Sequence, residues 1–188
     1  METLVPAFIA ALLAQSTDRT PWLMAVLADR YRRPAQVLIA AAVAIAVGNA
    51  FAAVAGSLMT PLLPLDARTL VLALALLFAG GGALLPIREP DRLSGWRIGS
   101  VATTFLGILI LAFGDAAQFL AFGLAAQGSG AVWAAAGATA GCIAALLPPL
   151  MLGERAWLAL PLRTMRWVIA ALFLIAGTIA LLDAFRIV

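Results

Sequence analysis

The sequence predicts an all-α, polytopic membrane protein with six transmembrane helices arranged as two inverted three-helix repeats. Three observations predict it: an apolar composition, arginines confined to alternate loops, and a match of the two halves at one fixed offset. Hydrophobic residues fill 64% of the 188 positions and charged residues only 11%; mean hydropathy is +1.07. A soluble globular chain carries roughly 25% charged residues, so this chain cannot cover a water-facing surface. A β-barrel would need strands of about ten residues with alternating polarity. The runs 37–55 and 69–85 show no such alternation, and helices follow.

A helix needs about 20 apolar residues to cross a bilayer core about 30 Å thick. Six runs qualify, at 3–28, 35–58, 67–87, 98–126, 130–152 and 163–183. The first has no positive n-region, its only early charge being Glu2, and its apolar stretch continues past any cleavage site. It reads as a retained helix rather than a signal peptide. The second carries Asn49 at mid-helix, as a ligand or as interhelical glue. The third ends in Gly80-Gly81-Gly82, which should allow close helix packing. The fourth holds Gly114, Asp115 and Gln118. The fifth contains Pro148-Pro149, which should interrupt its hydrogen bonding. The sixth follows Leu160-Pro161-Leu162. Trp22, Trp96, Trp157 and Trp167 lie near span ends, where an interfacial aromatic belt accounts for them.

The links are short, so 1–188 reads as a single membrane domain: repeat one 1–88, a cytoplasmic link 89–97 and repeat two 98–188. With the N-terminus on one side, the loops on the other side carry Arg30, Arg32, Arg33, Arg88, Arg92, Arg97, Arg155, Arg163 and Arg166. The N-terminal side carries only Arg68 and Arg186, and Arg19 falls inside span one. Cytoplasmic loops are the ones enriched in Arg and Lys, so both termini are expected outside a bacterial inner membrane. The formal charge of +3 is all arginine on the basic side; orientation accounts for it, and nucleic acid is not expected as a partner.

The halves match 97 residues apart. Leu63-Pro64-Leu65 recurs as Leu160-Pro161-Leu162, and Ala79-Gly80 with Ala83-Leu84-Leu85 recurs as Ala176-Gly177 with Ala180-Leu181-Leu182. Gly56 maps to Gly153 and Asp18 to Asp115. With three spans each, the halves must insert in opposite senses. Three-plus-three inverted repeats are a transporter architecture, with the site near the midplane between them.

Asp18 lies about 12 residues, roughly 18 Å at 1.5 Å per residue, from the cluster that begins at Arg30. Asp115 lies about 18 residues, roughly 27 Å, from Arg97. Both fall inside the hydrocarbon region, where an ionised residue costs at least about 2.5–3.5 kcal/mol. On continuous helices Gln15, Asp18 and Arg19 share one face, as do Gly114, Asp115 and Gln118. Thr17, Thr20 and Asn49 add oxygens at similar depth. Two readings follow. One is a cation site between spans one and four built from Asp18, Asp115, Gln15, Gln118, Thr20 and Asn49, whose oxygens suit hard divalent ions. The other is a structural clamp in which the two aspartates pair with Arg19.

The inventory excludes enzymes. There is no histidine, so a Ser-His-Asp arrangement and the commonest proton-transfer group are absent. Cys142 is the only cysteine, which rules out an intrachain disulfide or a thiolate cluster. No cofactor is expected.

In its motifs the chain resembles the transmembrane protein 165 (GDT-type) family of small cation/proton exchangers. That family carries Glu-x-Gly-Asp-Lys/Arg-Thr/Ser once in each of two inverted three-helix repeats. The copies here are Gln15-Ser16-Thr17-Asp18-Arg19-Thr20 and Ala112-Phe113-Gly114-Asp115-Ala116-Ala117, the latter followed by Gln118. Leu27-Ala28-Asp29-Arg30-Tyr31-Arg32-Arg33-Pro34 resembles the exit from the family's first helix, Asn49 an asparagine of its second, and Leu160-Pro161-Leu162-Arg163 the approach to its last. Both motif glutamates are replaced, by Gln15 and Ala112. The resemblance implies Mn²⁺ or Ca²⁺ export against protons, with the bilayer and the two substrates as partners and a homodimer allowed. The alternatives are a non-transporting scaffold or partner subunit, and a small exporter of another solute such as a basic amino acid.

Overall fold

A computed structural model describes residues 2–128 and 130–186. Of the two expected repeats, Met1, Ser129, Ile187 and Val188 lie outside these. Among the described residues all regular structure is helical: α1 (Leu4–Ser16), α2 (Thr20–Tyr31), α3 (Pro34–Met59), α4 (Leu65–Leu84), α5 (Ser100–Ala112), α6 (Ala116–Ala126), α7 (Ala131–Leu158) and α8 (Leu162–Ala184). A short 3-10 turn at Thr60–Leu62 extends α3. Four segments are long and apolar enough to cross a membrane: Pro34–Leu62, Leu65–Leu84, Ala131–Leu158 and Leu162–Ala184. The α5–α6 pair, bent by 65°, counts as a fifth if it is one span. At 13 residues α1 is shorter, about 20 Å.

Spans one and four are therefore not the continuous helices expected from hydropathy. Each breaks at its aspartate. The first stops at Ser16 and restarts at Thr20, with Pro21 in the first turn of α2. A proline there has no N–H to give to the preceding turn and suits a new helix start. The Thr17 hydroxyl donates back to the Ala14 carbonyl at 2.8 Å. The second breaks at Gly114, whose φ of +76° favours a residue without a Cβ. Pro148-Pro149, by contrast, sit inside a helix that continues. The departure comes later, at Gly153 (φ 73°, ψ 174°), where the Asp29 carboxylate accepts the Glu154 N–H at 2.8 Å.

Small residues line the buried faces. On α3 these are Val37, Ala40, Ala41, Ala44, Ile45, Gly48, Ala52, Ala53 and Gly56, while Ile39, Val43, Val47, Phe51 and Val54 face outward. Without a hydrophobic drive between helices in lipid, close backbone approach supplies the packing, and large apolar side chains are left for the bilayer. On α7, Gly137 faces the Leu4 carbonyl and Gly141 the Phe8 carbonyl of α1. α1 and α2 both pack on α7, and α5 and α6 both pack on α3, which also meets α7. α4 and α8 pack on each other at the edge. Their contact is reciprocal: Leu174 closes on Gly80 and Leu77 on Gly177, two pairs 97 residues apart. Of the expected glycine trio only Gly80 serves packing; a Cβ at Gly81 or Gly82 would meet nothing within 4 Å.

Polar contacts gather the helix ends into two sets. At the arginine-rich end Arg30 donates to the carbonyls of Leu93 (2.7 Å) and Trp96 (3.0 Å). Arg92 pairs with Glu89 at 2.7 Å and Glu154 at 2.5 Å, and the two carboxylates raise its pKa above the ordinary arginine value. Ser100 donates to Gln36 at 3.1 Å. At the other end Arg186 pairs with Asp66 at 2.7 Å, and Arg68 donates to the Leu63 and Thr60 carbonyls while Gln127 donates to the Arg68 carbonyl at 3.0 Å.

Candidate functional site

The two helix breaks face each other inside the bundle, where α1 packs on α6. Asp115 is the N-cap of α6. Its Oδ1 accepts the Gln118 N–H at 2.9 Å, and Gln118 Oε1 reaches back to the Gly114 N–H at 2.9 Å. Cap carboxylate and N3 amide thus satisfy each other's turn much as in a capping box, and negative charge at this end of α6 suits its dipole. Asp18 precedes α2, whose N-cap is Arg19; Asp18 Oδ2 accepts from the Thr20 hydroxyl at 2.7 Å. Each aspartate is half-buried, and each is held by the start of the helix that follows.

The neutral candidates surround this pair unevenly. Gln15, at the end of α1, is 1% exposed, and its Nε2 has no partner. The Gln118 amide lies over Gly48 of α3, where any Cβ would displace it. Next to Gly48, Asn49 is buried and points at α7, where its Nδ2 contacts Thr139 Oγ1 at 3.4 Å and Cys142 Sγ at 3.9 Å.

Two expectations about this region change. Gln15, Asp18 and Arg19 do not share a helix face, because the helix ends at Ser16; nor do Gly114, Asp115 and Gln118, because only Gln118 is helical. The ion pair expected of Arg19 is also absent. Arg19 is exposed, and among the described residues it has no carboxylate within salt-bridge distance. Arg166 of α8 joins Arg19 on the cavity that Asp18 lines. A cavity of about 380 Å³ is lined by Asp18, Arg19, Arg88 and Arg166 among others. Sequence reading counted Arg166 only among loop arginines, and no local motif marks it.

The donor set is sparse. Among the described residues no group of three or more Asp, Glu, Cys or His side chains could hold a metal ion. What is present is two carboxylates and uncharged oxygens, a set suited to a hard divalent cation bound weakly enough to leave.

Helices broken inside an apolar bundle, each break carrying a carboxylate, define a membrane transporter of small cations. The chain belongs to the family described as divalent cation/proton antiporter GDT1, whose model matches residues 3–91 and 100–187. It is 30% identical over 176 residues to a protein of Vibrio cholerae serotype O1 named "Putative manganese exporter", covering 93% of this chain and 88% of that relative. No solved structure matches it. The family resemblance read from the motifs is thereby established, and divalent cation/proton antiport is the activity of that family. Neither the scaffold nor the basic-amino-acid reading draws support from it.

Proposed function

We propose that this chain exports Mn²⁺ from a bacterial cytoplasm in exchange for protons, using one site shared by Asp18 and Asp115. Gln15, Gln118, Thr20 and Asn49 supply neutral oxygens. The observation that carries the reading is the pair of helix breaks: they fall 97 residues apart, and each presents an aspartate held by the start of the helix that follows. Manganese is favoured over calcium by the name of the Vibrio relative.

In this reading the chain crosses the inner membrane six times, α1 with α2 forming the first crossing and α5 with α6 the fourth. The family match in two blocks, the reciprocal Gly80–Leu174 and Gly177–Leu77 contacts and the two sets of helix ends support an inverted pair, repeat one within 1–88 and repeat two within 98–188. The arginine count puts the link 89–97 in the cytoplasm and both termini outside. The test is flux in proteoliposomes under an imposed pH gradient. Wild type should accumulate Mn²⁺ faster than Ca²⁺ and only with the gradient; Asp115→Asn should abolish it. Wild-type flux equal to that of empty liposomes would sink the proposal.

A further inference from the structure

Arginine topology accounts for charges that point away from the bundle, such as Arg163, which is exposed. It does not account for Arg166. This side chain is only partly exposed, and among the described residues its buried Nε has no hydrogen-bond partner. Its Nη2 donates to the carbonyl of Leu85, the C-cap of α4. The guanidinium is therefore anchored at the wall of the Asp18 cavity instead of extending to the headgroups. It also lines a second cavity of about 410 Å³, together with Trp22, Arg163 and Trp167, and both cavities are walled by Pro86 and Ile87. Arg166 and Asp18 line the first of these cavities together.

We propose that Arg166 is a tethered cation that competes with the transported ion for Asp18 and so sets the affinity of the site. This rests on the transport reading above. Arginine keeps its charge at any physiological pH, and opposite charges attract far more strongly between low-dielectric walls than in water. Before an ion arrives, Arg166 supplies a counter-charge to Asp18 in the cavity that both line. When a divalent cation arrives, the same charge repels it. Arg166 thus weakens ion binding and speeds release. It acts through Asp18 and need not touch the ion.

The experiment is Mn²⁺ transport kinetics in proteoliposomes for wild type, Arg166→Gln and Arg166→Lys. Glutamine keeps a donor for the Leu85 carbonyl and removes the charge; lysine keeps the charge. The expected result for Arg166→Gln is a KM about tenfold lower with a reduced kcat, and for Arg166→Lys a KM near wild type. An independent arm uses Arg166→Cys with Cys142→Ala, in which a positively charged thiol reagent should restore the wild-type KM and a neutral reagent of similar size should not. An unchanged KM in Arg166→Gln, equal effects of Gln and Lys, or equal effects of the two reagents would overturn the proposal. Active wild type with such a result leaves the transport reading standing; inactive wild type removes both.

Discussion

In the proposed site Asp115 has two duties that substitution can separate, because one depends on an oxygen and the other on a charge. As N-cap of α6 it accepts the Gln118 N–H at 2.9 Å. Asparagine ranks with aspartate as an N-cap, whereas alanine in place of a capping residue costs about 0.5–2 kcal/mol. Asp115→Asn keeps the acceptor and gives up only the favourable charge at the start of an 11-residue helix, about 0.3–1 kcal/mol. Asp115→Ala gives up both, about 1–3 kcal/mol together. For a chain of this length 1 kcal/mol moves a melting midpoint by about 2–4 °C. Thermal melting of the purified protein in detergent should therefore place Asp115→Asn within about 4 °C of wild type and Asp115→Ala clearly below it. Flux should be abolished in both. The reasoning fails if Asn melts as low as Ala, which would make the lost transport a folding defect. It fails equally if Asn transports like wild type.

Two further outcomes follow from the packing. Gly141→Val drives a Cβ onto the Phe8 carbonyl of α1 and should cost about 1–3 kcal/mol by overpacking, while Gly81→Ala, with nothing within 4 Å, should be neutral or gain up to about 1 kcal/mol in helix propensity; paired thermal melts decide this. α4 packs on α6, with Phe78 and Phe119 ring centroids 5.2 Å apart and Gly123 against Leu72, beside a cavity of about 580 Å³ on the same seam, whereas the repeat-related pair α2 and α8 makes little contact beside the 410 Å³ cavity. A transporter that opens alternately should exchange these. In a Cys142→Ala background both Leu72→Cys/Gly123→Cys and Val26→Cys/Ile169→Cys should cross-link, and each bridge should stop flux. Cross-linking of the first pair alone, under all ion conditions, would contradict the exchange.

Much of the fold was legible because it depends on composition and period. The helical runs, the arginine bias and the offset of 97 are properties of sequence alone, and α3, α4, α7 and α8 fall where hydropathy places them. The breaks were hidden from a hydropathy count, since Thr17-Asp18-Arg19 and Gly114-Asp115 interrupt apolar runs too briefly to register. Their signals were nevertheless present. Asp115-x-x-Gln118 has the spacing of a capping box, and Thr20-Pro21 is a helix start. Assuming an unbroken helix turned both aspartates onto the wrong faces and gave Arg19 a role it does not have. Pro148-Pro149 remove two backbone donors from α7, yet the helix continues through them and leaves helical geometry only at Gly153. Arg166 was beyond sequence reading altogether: only the closure of α8 against the C-terminal end of α4 brings it to Asp18, 148 positions away.

The central claim is one ion site completed by an aspartate from each half of the chain. Equilibrium Mn²⁺ binding to the purified protein tests it most directly. The account predicts one ion per chain, with binding lost in Asp18→Asn and equally in Asp115→Asn. Full affinity retained in either variant, or two independent ions per chain each lost with only one aspartate, would contradict it.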